Sequence, residues 1–102
     1  FFEVKNRESR KGEIGLAISK DGVRWAYQQI VLAEPFHLSY PYVFRWRDDY
    51  YMIPESCEAD SVRLYRATKF PTQWFFVDNL LKGDKYVDSS IFYLDNRWWL
   101  LT

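Results

Sequence analysis

The sequence predicts an all-β chain of repeated, four-stranded antiparallel sheets, the architecture of propeller blades, and two observations predict it. The first is self-similarity at an interval of 48 residues: residues 42–53 (YVFRWRDDYYMI) align without a gap on residues 90–101 (SIFYLDNRWWLL). The same offset carries Ile14 onto Val62, Leu16 onto Leu64 and Ser19 onto Ala67. A period in this range, filled with short strands, is the signature of propeller blades. The second is composition: aromatics make up 21% of the 102 residues, with five Trp, eight Tyr and eight Phe. Such side chains favour pleated, buried surfaces.

Taken in order, residues 1–32 read as the end of one blade: residues 1–4 close a second strand, 13–19 form a third and 24–31 a fourth. The turn Ser19-Lys20-Asp21-Gly22 carries an Asp-Gly pair suited to positive φ. Trp25, three residues after the glycine, is expected to pack back over it. Residues 40–81 read as a complete blade with strands at 40–47, 49–55, 62–68 and 74–80. Its first turn, Arg47-Asp48-Asp49, is polar and tight, and Phe70-Pro71-Thr72-Gln73-Trp74 replaces the Asp-Gly turn. Residues 87–102 read as the first half of the next blade, opening at Asp88 and ending in a strand at 97–102. No segment has a convincing helical pattern.

Val43-Phe44 and Tyr51-Met52-Ile53 are apolar on both sides of their strands, which suits a sheet sandwiched between neighbours. About two blades do not close a ring and would leave broad apolar faces open. The expected partners of these faces are the remaining blades of a longer parent chain, or other copies of the same piece. The sequence reads as part of a longer polypeptide.

Net charge is zero, with 14 basic and 14 acidic residues interspersed, so no electrostatic footprint for nucleic acid or an anionic membrane is expected. The densest basic stretch, residues 7–11, includes Glu8 and reads as a solvated loop. No apolar run is long enough to span a bilayer, so no membrane insertion is expected, and nothing indicates a compartment. The single cysteine, Cys57, reads as a structural thiol. No metal-ligand spacing, phosphate-binding glycine loop or nucleophile elbow occurs, so neither metal nor cofactor is expected.

In such a blade the first strand opens at one mouth of the channel and the second returns there. Glu55 should then lie opposite about Tyr42, near Tyr40 and Ser39. Glu3 takes the equivalent place in the preceding blade, because Phe2-Glu3 matches Pro54-Glu55. Asp88 opens the next blade where Tyr40 opens this one, and His37 stands just before. Paired carboxylates at a channel mouth suit glycoside hydrolysis, one ionised and one held protonated. The candidate catalytic residues are Asp88, Glu55 and Glu3; the candidate ligand-binding residues are His37, Tyr40 and Ser39. Each has a plainer role open to it: Asp88 bonding to strand-end amides, Glu55 and Glu3 pairing with arginines, His37 as a hydrogen-bonded structural residue.

The run Val87-Asp88-Ser89-Ser90-Ile91-Phe92, the Asp95-Asn96 turn and Trp98-Trp99-Leu100 resemble the blade motif of five-bladed glycoside hydrolases. These are the arabinanase, levansucrase and invertase superfamily, including family 43, where the Ser19–Trp25 hairpin pattern is also common. More specifically, Glu34-Pro35-Phe36-His37-Leu38-Ser39-Tyr40-Pro41-Tyr42-Val43-Phe44 and Tyr51-Met52-Ile53-Pro54-Glu55 resemble the propeller-like domain attached to glucosamine inositolphosphorylceramide transferases. Bacterial relatives of that domain are sometimes joined to formyltransferase-like domains. The resemblance implies a five-bladed propeller, with Asp88 at the position of a base or a modulator of the acid. Tyr40 departs from that pattern, and the family's acid does not map securely onto Glu55 or Glu3. The leading expectation is recognition of a carbohydrate or glycoconjugate at the mouth, with glycoside hydrolysis if the carboxylates act. The alternative is a non-catalytic propeller supporting an attached glycosyl- or formyl-transferase domain. A plain protein-interaction propeller has only the fold in its favour.

Overall fold

A computed structural model describes all 102 residues. Nine strands form three antiparallel sheets, each a simple meander. The first holds β1 (Phe2–Lys5), β2 (Gly12–Ile18) and β3 (Ala26–Leu32). The second holds β4 (Ser39–Trp46), β5 (Asp49–Glu55), β6 (Ser61–Lys69) and β7 (Gln73–Lys82). The third is the hairpin of β8 (Ser90–Leu94) and β9 (Arg97–Leu101). The only helical element is a single 3-10 turn, Cys57–Ala59, between β5 and β6. The expected strands are all present, with ends displaced by one or two residues.

The internal repeat is visible in the backbone as well as in the side chains. Tyr40 and Asp88, one period apart, both take left-handed conformations, with φ of 39° and 49°. Arg47 and Asp95, also one period apart, do the same at 55° and 52°. Non-glycine residues rarely adopt such angles. Two coincidences at one offset show that the chain retraces the same path in successive sheets.

Because each sheet is an antiparallel meander, its connections alternate between two ends. At one end lie the β1–β2 hairpin loop (residues 6–11), the β3–β4 connector (33–38), the β5–β6 connector (56–60) and the β7–β8 connector (83–89). At the other lie the tight turns at 19–25, 47–48, 70–72 and 95–96. The core sits between the first two sheets: Ile14 and Leu32 from one pack with Leu38, Met52 and Tyr65. The second and third sheets meet through Trp46, Tyr93 and Trp98, with ring centroids 4.6 to 5.2 Å apart. Phe44, Tyr51, Leu64, Leu80 and Ile91 line an apolar hollow beside them.

Two expectations need correction. Trp25 does not cover its hairpin and is 63% exposed. The Ser19–Arg24 turn is held instead by Asp21, whose carboxylate accepts the Val23 and Arg24 amides and the Ser19 hydroxyl. Those bonds hold the Asp21 carboxyl below its ordinary range, the Arg24 amide contributing most. Its counterpart Trp74 is tucked in, donating its indole N–H to the Pro71 carbonyl at 2.9 Å. The second correction concerns register. Glu55 lies opposite Ser39, not Tyr42, which pairs with Ile53. An irregularity between Ser39 and Tyr42 absorbs the difference, and Tyr40 and Pro41 occupy it. The left-handed Tyr40 is the bend that makes room.

Candidate functional site

The six candidate residues all lie toward the connector end, where Glu3 and His37 belong to one polar cluster and Glu55 and Asp88 to another. The first joins the first two sheets. Glu3 stands opposite Ile14 and Lys5 opposite Gly12, so both share one face of β1. Against that face lies His37. Its Nδ1 accepts the Gly12 amide at 2.9 Å, and its Nε2 faces Glu3 Oε1 at 3.4 Å. The Glu3 contact is a close polar approach whose geometry falls short of a hydrogen bond. The next amide, Leu38, donates to the Gly12 carbonyl at 3.0 Å. Gly12 is required here because a Cβ would collide with the Leu38 carbonyl oxygen and lie 2.9 Å from both Glu3 Oε1 and His37 Cε1.

A residue absent from the sequence-derived set completes this cluster. Glu58, on the 3-10 turn, accepts the His37 amide at 2.8 Å and the Lys11 ammonium at 3.3 Å. Lys11 also donates to the Pro35 carbonyl. The bond from the His37 amide, and then Lys11, hold the Glu58 carboxyl below its ordinary value of 4.5. Connectors of the first and second sheets are thus joined through one carboxylate. Nothing in the local sequence marks Glu58, since its partners lie 21 and 47 residues away.

The second cluster joins the second and third sheets. Glu55 Oε2 accepts the Asp88 backbone amide at 3.1 Å. Cys57 stands beside the same carboxylate; burial first, and then Glu55, push its thiol above the ordinary value of 9.0. Asp60 anchors the connector that leads to Asp88 by accepting the Gly83 amide and facing Lys85 at 3.7 Å. Asp88 itself precedes β8 by two residues, and its carboxylate makes no hydrogen bond or ion pair. By continuing the Met52–Tyr65 register, Glu55 falls opposite Val62, as Glu3 falls opposite Ile14. The two glutamates therefore occupy equivalent places in successive sheets. Ser39 stands across from Glu55 in the ladder, while Tyr40 is 49% exposed and lines a hollow with Phe1, Pro41 and Tyr42. Tyr40 contacts neither cluster through a hydrogen bond.

Behind His37, a third polar group fixes the β3–β4 connector to the second sheet. The Tyr65 hydroxyl, on a residue 1% exposed, donates to Glu34 at 2.7 Å and accepts from Arg63 Nε at 2.9 Å. Burial, together with the Glu34 carboxylate, drives the Tyr65 hydroxyl well above its ordinary pKa. The Arg63 guanidinium lies over the Phe76 ring at 3.9 Å and the Phe36 ring at 5.2 Å. No group of three or more His, Cys, Asp or Glu side chains is arranged to hold a metal ion.

A family model described as "Glucosamine inositolphosphorylceramide transferase 1, N-terminal" matches residues 1–102. The chain belongs to this family. Among curated relatives, glucosamine inositolphosphorylceramide transferase 1 of rice (Oryza sativa, subspecies indica and japonica) is 44% identical over 101 residues, 98% of this chain. The Arabidopsis thaliana protein of the same name is 41% identical over 102 residues. The chain spans 13% of the length of these relatives. The family match covers the chain from end to end.

Proposed function

We propose that this chain is part of a non-catalytic N-terminal domain that receives a glycoconjugate and supports an attached glycosyltransferase domain. The acceptor we propose for the intact protein is the inositolphosphorylceramide of its relatives' names. The observation that carries this reading is the family match over the whole chain. The geometry agrees with it. Glycoside hydrolysis needs two carboxylates facing one another across a sugar. Here Glu55 is engaged by the Asp88 backbone amide, and Glu3 by His37. Both act as fasteners between sheets.

In the same reading the three sheets are successive blades of a five-bladed propeller. Its support is the repeat, the paired left-handed residues and the three, four and two strands of the consecutive sheets. Imaging the intact protein would test this: five sheets about one axis are expected, and a closed barrel or sandwich would refute it.

The functional test compares the intact protein with Asp88→Asn in two assays, sugar release into water and sugar transfer to inositolphosphorylceramide. We expect no release from either form and an unchanged transfer kcat in the variant. Sugar release that disappears with Asp88→Asn would return the site to glycoside hydrolysis.

A further inference from the structure

The end of β1 and the loop that follows it carry three cations that nothing else in the structure engages. Lys5, Arg7 and Arg10 together line one open hollow, and no other residue contributes to it. None of the three side chains makes an ion pair or a hydrogen bond, although five lysine or arginine ion pairs occur elsewhere in the chain. Glu8, the one acidic residue of the loop, does not line the hollow. The expectation of a merely solvated loop leaves this convergence without a cause, because like charges gathered together repel.

The loop beneath them is rigidly built. Asn6 Oδ1 accepts the Glu8 and Ser9 amides at 2.9 and 3.1 Å, and Asn6 Nδ2 donates to Glu13 at 2.8 Å. The Asn6 amide donates to the Lys11 carbonyl, and the Arg10 amide to the Asn6 carbonyl. Arg10 takes a left-handed φ of 64°. The fourth cation, Lys11, is withdrawn to Glu58 and Pro35, which pins the loop to the next connectors. Three free cations thus stand on a platform whose shape does not depend on them.

We propose that Lys5, Arg7 and Arg10 form a binding site for a phosphate group, mono- or diester. Two guanidinium forks and an ammonium suit an anion with several oxygens spread tetrahedrally. Lys5 shares the face of β1 with Glu3, two residues away, so the hollow adjoins the Glu3–His37 cluster. The phosphate would therefore belong to a ligand lying along the connector end. This deepens the reading above and rests on it for the sugar-bearing part of that ligand; the phosphate site itself is tested separately.

The experiment uses the intact protein and measures binding only. Inorganic phosphate is titrated, and co-sedimentation is compared between phosphatidylcholine vesicles with and without phosphatidylinositol. Three variants are needed: Arg7→Gln with Arg10→Gln; Asn6→Ala, which loosens the loop without removing charge; and Lys20→Gln with Arg24→Gln, a charge-matched change in the turn at the opposite end. We expect preference for phosphatidylinositol, weakened about tenfold or more by the first two variants and unaltered by the third. Binding of inorganic phosphate with the same variant pattern, but without vesicle preference, would support the site and assign it to a soluble phosphate. Absence of both kinds of binding, or equal losses in both double variants, would overturn it. The result does not depend on sugar release or transfer, so the site and the non-catalytic reading fail separately.

Discussion

Gly12→Ala is expected to unfasten the first sheet from the second at the residue 37–38 segment, where Leu38 enters the core. A Cβ on Gly12 would overlap the Leu38 carbonyl oxygen, a backbone atom that cannot swing aside, and press on Glu3 and His37. The residue 37–38 segment must retreat, which breaks the Gly12–His37 and Leu38–Gly12 hydrogen bonds. Each bond contributes about 0.5–1.5 kcal/mol, and overpacking costs about 1–3 kcal/mol. Restricting the unfolded chain returns about 0.4–1 kcal/mol. The net loss centres on about 3 kcal/mol, which corresponds to roughly 200-fold faster opening at this seam. Gly15→Ala is the comparison, because its Cβ would press on the Val4 and Phe2 side chains and on no backbone atom of the 37–38 segment. Hydrogen exchange of the Leu38 amide in the intact protein reads the effect directly. Unchanged Leu38 protection in Gly12→Ala, or an equal loss in Gly15→Ala, would refute the argument.

Tyr65→Phe should destabilise the protein by about 2 kcal/mol in thermal unfolding, since two hydrogen bonds to charged groups are lost. Part of that cost is recovered if Arg63 closes on Glu34, now 3.9 Å away. Glu55→Gln should lower the Cys57 pKa, because the carboxylate that raises it most after burial loses its charge; the pH profile of thiol alkylation checks this. Glu58 has its pKa depressed in the folded protein, so its contribution to stability is present above about 4.5 and is lost as pH falls through the folded value. The protection factor of the His37 amide, its exchange relative to the intrinsic rate at each pH, should therefore fall on acidification below that value. In Glu58→Gln this acid-dependent step should be absent.

The strands and their order were legible because the repeat compares the chain with itself. Apolar positions such as Val43 and Ile91, or Met52 and Leu100, recur because the same faces are buried in successive sheets. Pairing of Glu3 with Glu55 was legible for the same reason. The exact neighbour of Glu55 was not, since the bend at Tyr40 shifts the ladder between Ser39 and Tyr42. A tyrosine in a left-handed conformation leaves no compositional trace, unlike glycine or asparagine. The fastening role of Gly12, the reach of Glu58 to His37 and Lys11, and the Tyr65–Glu34 bond were also hidden. Each joins segments distant in the chain, and neither periodicity nor local propensity encodes such a meeting. Trp25 shows the converse: a familiar turn pattern suggested packing that Asp21 makes unnecessary.

The alternation of connections between two ends bears on how chains of this kind can change length. At the connector end, loops are held by groups in neighbouring sheets, such as Gly12, Glu58 and Glu55. A residue added there must preserve spacings in two sheets at once. At the other end, the hydrogen bonds of the turns at 19–25, 47–48, 70–72 and 95–96 stay within their own hairpins. Inserted residues there need only bulge outward, at little entropic cost. The chain already records one such event, since the turn before Trp74 is one residue longer than the turn before Trp25 when measured from the aligned strands. Insertions and tags placed at Lys20–Val23 or at Thr72 should be borne easily, whereas the loops at the opposite end should be nearly fixed in length.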